Sequence, residues 1–118
     1  MNTVGMFRTE PGARSYQAGE TVFAVGAPGD VMFVVLEGEV DIALNGTVLE
    51  TVGPGGIVGE LALIDAGLRS ADVVTRGPAR LVPVSKDRFI YLIQQTPYFA
   101  LHVMRILADR LRRMNLRA

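Results

Sequence analysis

The chain contains no cysteine and no tryptophan. Disulfides, thiolate nucleophiles, iron–sulfur clusters and cysteine-ligated zinc are excluded with the missing sulfur. Histidine is nearly absent too, with His102 the only imidazole. Metal-dependent hydrolysis and Ser-His-Asp chemistry would both rest on that one residue, whose neighbours Leu101 and Val103 belong to a helical pattern and not to a ligand cluster. A helical side chain without chemistry is the expected reading, and no cofactor is expected. Net charge is missing as well, because 12 Lys and Arg balance 12 Asp and Glu. No overall field draws the molecule to nucleic acid or anionic lipid, so any anion site is local. No run approaches the roughly 18 apolar residues of a membrane span, and Met1 to Glu10 is too weakly apolar for a secretory leader. The sequence therefore predicts no membrane association and a cytoplasmic location.

What remains suits one core. The 118 residues are 49% hydrophobic and 20% charged, which predicts a single globular domain over 1–118. From Ala13 to Val84, turn signals separate short runs rich in Val, Ile, Leu and Thr, the pattern of an all-β sandwich or barrel. Gly26-Ala27-Pro28-Gly29-Asp30 is a dense turn cluster, and a strand is expected beyond it. Val31 to Leu36 is continuously apolar, as in a strand covered on both faces, whereas Val40, Ile42 and Leu44 alternate with Glu39, Asp41 and Ala43. Asn45-Gly46 then marks a hairpin, because a type I′ turn needs positive φ twice. Gly53-Pro54-Gly55-Gly56 breaks the sheet. Strands near 70–76 and 79–85 flank Gly77-Pro78, with Pro83 placing the second at an edge or a bulge.

Helical spacing appears only after Ser85, an expected N-cap. Lys86 to Gln95 sets Phe89, Leu92 and Ile93 on one side, and Pro97 opens a second helix to about Asn115. That helix carries Ala100, Met104, Leu107, Leu111 and Met114 at heptad steps, a seam that suits a homodimer or packing on the protein's own strands. Arg105, Arg110, Arg112, Arg113 and Arg117 give it a basic outer face. They read as solvated charges and not as a DNA contact, because no second helix follows to enter a groove; no direct DNA binding is expected.

Residues 59–74, GELALIDAGLRSADVV, carry the most specific chemistry. Gly59 permits close backbone approach, and Glu60-Leu61-Ala62-Leu63-Ile64 is helix-prone but ended at once by Asp65-Ala66-Gly67. A single helical turn leaves its first N–H groups unpaired, so the amides near Leu61 and Ala62 can meet an anion. Arg69, nine residues after Glu60, can clamp the same anion with its planar fork, and Ser70 adds a hydroxyl. Glu60 would repel a phosphate and needs donors instead. A sugar hydroxyl supplies one, so an acid and a base on one loop suit a ribose phosphate.

This stretch resembles the phosphate-binding cassette of cyclic nucleotide-binding domains. Gly59, Glu60, Leu61, Ala62, Leu63, Arg69, Ser70 and Ala71 match its pattern in order. The turns at Gly19-Glu20, Gly26 to Asp30, Glu37 to Val40 and Pro54-Gly55 also fall where that family keeps turns, so the resemblance runs from about Ala13 to Asn115. It implies a mainly β fold, a double-stranded β-helix or jelly-roll like that of cupins over about 13–85, followed by two C-terminal helices at about 86–95 and 97–115. It implies a ligand, cyclic AMP or possibly cyclic GMP. Glu60 would accept from the ribose 2′-hydroxyl, Arg69 would pair with the cyclic phosphate, and Ser70 with the Ala62 amide would add phosphate donors. In the catabolite-activator branch the long helix contacts the base, which would fall near Met114 and Asn115. Three positions depart from the pattern: Val58 replaces an aromatic or Ile, Leu68 a frequent Pro, and Asp72 a Ser or Thr. Asp72 would weaken phosphate binding unless strand alternation turns it away from the Ala71 side.

The resemblance thus implies a sensor that binds a cyclic nucleotide without altering it and signals through its C-terminal helices. A dimerisation or adaptor module that has lost the ligand, argued from Leu68 and Asp72, is the alternative. A metal-dependent enzyme on a cupin-like roll is opposed by the single His102.

Overall fold

The computed structural model describes residues 2–64 and 67–117, with side chains to 113. Its strands form two four-stranded antiparallel sheets. One runs β1 (Arg14–Tyr16), β8 (Ala79–Ser85), β3 (Val31–Glu37), β6 (Ile57–Val58), and the other β2 (Thr21–Phe23), β7 (Asp72–Thr75), β4 (Val40–Leu44), β5 (Thr47–Val52). The fold is the expected roll followed by α3 (Lys86–Gln95) and α4 (Pro97–Arg117).

Two cores explain why β3 is apolar without interruption. Met32, Val34 and Leu36 point outward under the helices, where they join Phe7, Leu92, Phe99 and Val103. Phe33 and Val35 point between the sheets, where they meet Val40, Val58, Val73 and Leu81. A strand buried on both faces needs apolar residues at both parities. The hairpin is also as expected, with φ of 53° at Asn45 and 80° at Gly46. A bulge between Ile42 and Ala43 adjusts the β4–β5 register beside it.

Pro83 shows how an interior strand accepts proline. β8 pairs with both β1 and β3, so it is not an edge strand as a whole. Its pairing with β1, however, involves only Ala79, Arg80 and Leu81. At Pro83 the ladder continues toward β3 alone, opposite Phe33, and the missing N–H costs no second partner.

Ser85 caps α3 by accepting from the Arg88 N–H at 3.2 Å. Sequence spacing did not reveal α1 (Thr3–Phe7), capped by the Asn2 side chain at Gly5 N–H, 2.9 Å. Five residues are too few to display a helical period, yet Phe7 is fully buried, with its ring 5.5 Å from that of Phe99. The heptad positions of α4 divide between the two expected alternatives. The helix faces its own core through Phe99, Val103, Ile106 and Leu107, whereas Met104 and Leu111 are 60% and 58% exposed. Leu107 therefore belongs to the monomer core, and Met104 and Leu111 remain outside it.

Candidate functional site

The cassette lies where a backbone turn, a short helix and a loop converge on β3. After β6, Gly59 takes φ of 78°, a left-handed conformation that favours glycine. The chain then makes the expected single turn, α2 (Leu61–Ile64). Beyond it, the Arg69 N–H donates to Ala27 O at 2.8 Å and the Gly26 N–H donates to Arg69 O at 2.9 Å. A bridge between Pro28 and Leu68 continues this pairing. The turn cluster at 26–30 thus fixes the loop that carries Arg69.

Two opposite charges are buried in the cassette, near enough for the negative charge of Glu60 to act on Arg69. Glu60 is 4% exposed and Arg69 7%. The Arg69 guanidinium donates through Nη2 to Val31 O at 2.8 Å and through Nη1 to Gly59 O at 3.2 Å. Its Nε is buried and has no partner among the described residues. Burial pushes the Arg69 pKa below the ordinary arginine value, opposed by the negative charges of Asp30 and Glu60. A buried cation with an unused donor is chemically suited to an anion.

Glu60 has a partner that spacing did not suggest. Arg110, on α4, donates through Nη1 to Glu60 Oε1 at 2.6 Å and through Nη2 to Ile57 O at 2.6 Å. Its Nε donates to Glu50 Oε1 at 3.0 Å, and Arg113 reaches the same carboxylate at 2.9 Å. Burial lowers the Arg110 pKa, but the bonds and charges of Glu50 and Glu60 more than reverse this, leaving it raised. Reading Arg110 as a solvated charge on a basic face is therefore overturned. Its side chain is 17% exposed and holds α4 to the cassette. His102 adds a second tether, its Nε2 lying 2.9 Å from Gly55 O.

The other site residues are placed as follows. Leu61 is exposed, Ala62 half-buried, Ser70 exposed and Ala71 buried. The Ala62 N–H already donates to Gly59 O at 3.3 Å, so it is not the unpaired donor that the helical-turn argument expected; a phosphate would have to draw it from that long bond. Asp72 is half-buried and accepts from the Val25 N–H at 2.7 Å. The side chains of Met114 and Asn115 lie outside the described residues. A cavity of about 550 Å³ between α1, the 53–56 turn and α4 touches Glu50, His102 and Ile106 but neither Glu60 nor Arg69, so it is separate from the cassette. No helix among the described residues is long and apolar enough to cross a membrane.

A two-sheet roll whose cassette buries an acid beside a base, under a long terminal helix, defines a small-ligand-binding regulatory domain. Residues 13–96 match the family model of the cyclic nucleotide-binding domain, and the chain belongs to that family. It is 33% identical over 105 residues to a CRP-like cAMP-activated global transcriptional regulator of Mycobacterium tuberculosis, covering 85% of this chain and 47% of that protein. The structure of the catabolite activator protein of Thermus thermophilus superposes with a TM-score of 0.77 at 31% identity, over 90% of this chain and 52% of that one. The chain spans about half the length of these relatives. A domain of this kind also occurs in a protein named as an enzyme: Glutaminase 2 of Bradyrhizobium diazoefficiens is 38% identical over 101 residues, which cover 85% of this chain and 16% of that protein.

Proposed function

We propose that this chain is a non-catalytic sensor that binds cyclic AMP, with cyclic GMP the competing ligand, at Gly59 to Ala62 and Arg69 to Ala71. The observation that carries this reading is the buried pair itself: Arg69 with an uncommitted Nε and Glu60 with carboxylate capacity beyond the Oε1 that Arg110 occupies. A cyclic phosphate carries one negative charge for Arg69, and the adjoining ribose carries a 2′-hydroxyl for Glu60. Arg110 then connects the ribose to α4. A ligand that binds better with α4 in one position than in another shifts the helix toward that position. Relatives named as cAMP-activated and cyclic AMP receptor proteins support the choice of nucleotide. Against the adaptor alternative, argued from Leu68 and Asp72, the Asp72 carboxylate already accepts from the Val25 N–H.

Comparison of cyclic AMP with its 2′-deoxy analogue tests the role of Glu60. The wild type is expected to bind the analogue about tenfold more weakly, one hydrogen bond to a charged group. Glu60→Gln should narrow that gap, and an equal gap in both proteins means that Glu60 does not read the ribose.

A homodimer through the outer face of α4 completes the proposal. Tyr98, Leu101, Met104 and Leu111 leave an exposed apolar stripe on that helix. Met104→Asp together with Leu111→Asp should convert the dimer to a monomer in sedimentation without unfolding it, because neither side chain belongs to the core. An unchanged sedimentation coefficient removes this face from the interface.

A further inference from the structure

Arg69 rests in a seat made largely by residues outside the matched cassette. Its Cζ lies 4.1 Å from the ring centroid of Phe23. That ring is itself supported by Phe33, 6.2 Å away with 27° between the planes, and Phe33 is 3% exposed. An aromatic face attracts a cation within about 6 Å, most strongly where water is excluded. Two glycines also approach the guanidinium closely. A Cβ at Gly29 would come within 2.2 Å of Nε and 2.4 Å of Cζ, so any side chain at 29 displaces the guanidinium. A Cβ at Gly59 would lie 2.7 Å from Nη1 and 3.1 Å from the Phe23 ring.

The carbonyls of Val31 and Gly59 use the two Nη groups, and the ring contact uses no donor at all. Phe23 therefore stabilises the buried charge while leaving Nε available, which a carboxylate or a third carbonyl would not. An aliphatic side chain of similar size would fill the same space without attracting the cation.

We infer that Phe23 is a positioning residue for the nucleotide site, the platform that holds the Arg69 guanidinium in place before an anion arrives. The inference rests on Arg69 being the phosphate-binding group. A cation fixed in advance loses less freedom when its ligand binds, so the platform appears in affinity.

The test combines Phe23→Leu, Phe23→Tyr and Gly29→Ala with titration by cyclic AMP and with the NMR cross-peak of the Arg69 Nε–H in the ligand-free protein. In the wild type that cross-peak should carry a ring-current shift. Phe23→Leu is expected to abolish the shift and weaken binding by roughly twofold to thirtyfold. Phe23→Tyr should preserve both. Gly29→Ala should move the cross-peak and weaken binding while the protein stays folded, since the atoms it meets all belong to one side chain. A packing defect and a platform are separated in the Arg69→Gln background, where loss of the platform has no further effect and a packing defect has the same effect as before. Unchanged affinity in Phe23→Leu, or equal losses in both backgrounds, overturns the role of Phe23 and leaves the cyclic nucleotide assignment standing. A wild type that shows the ring-current shift but binds neither cyclic AMP nor cyclic GMP overturns that assignment instead, and the positioning role with it.

Discussion

Arg69→Ala is expected to weaken cyclic nucleotide binding by about 2 to 5 kcal/mol, the usual result of removing one member of a buried charge pair. In affinity this is a loss of about thirtyfold to several thousandfold. The fold should survive, because the loop is held by backbone bonds of residue 69 to Gly26 and Ala27 that alanine retains. The site should not, because the substitution removes the one buried guanidinium seated on Phe23 and leaves Glu60 facing the phosphate. Arg69→Lys should fall between the two, since an ammonium keeps the charge but lacks the planar fork. Calorimetric titration of the variants checks this, with circular dichroism confirming that the strands are intact. Wild-type affinity in Arg69→Ala would remove this residue from the site.

The second large effect concerns stability. Arg110→Met should destabilise the fold by about 3 to 5 kcal/mol, because breaking a buried pair leaves an uncompensated charge. The uncompensated charge here would be Glu60, with its side chain only 6% accessible. At this chain length the loss corresponds to a Tm lowered by roughly 10 to 20 °C. Adding Glu60→Gln to Arg110→Met should restore most of the stability, since a neutral amide at 60 no longer needs a cation. That recovery separates the electrostatic account from simple loss of packing, for which the second substitution would bring no benefit. Hydrogen exchange should show the same break as faster exchange in α4, which loses its hold on Glu50, Ile57 and Glu60. Denaturant unfolding of the two variants decides the matter.

Local chemistry was legible in the sequence, and long-range pairing was not. The Asn45-Gly46 hairpin, the Ser85 cap and the single turn of α2 follow from residues within a few positions of one another. The two-sided burial of β3 also follows, since the run from Val31 to Leu36, with no polar residue before Glu37, admits few other placements. Arg110 illustrates the opposite case. It is 50 residues from Glu60, and nothing in its neighbourhood on α4 distinguishes it from Arg112 or Arg105. Only the fold, which brings its side chain to Glu60, Glu50 and Ile57 O, makes it a partner. The seat of Arg69 was hidden for the same reason: Gly29 reads as a turn glycine and nothing near Phe23 marks it, until the fold brings both against one guanidinium. Pro83 marks an intermediate case, where the rule about edges held at one residue while the strand as a whole lies inside its sheet.

The cassette assignment stands or falls on a direct titration of the wild-type chain with cyclic AMP and cyclic GMP. Saturable heat with one nucleotide per chain, abolished or strongly reduced in Arg69→Ala, is the predicted result. No heat from either nucleotide, with the protein folded and monodisperse, would contradict it.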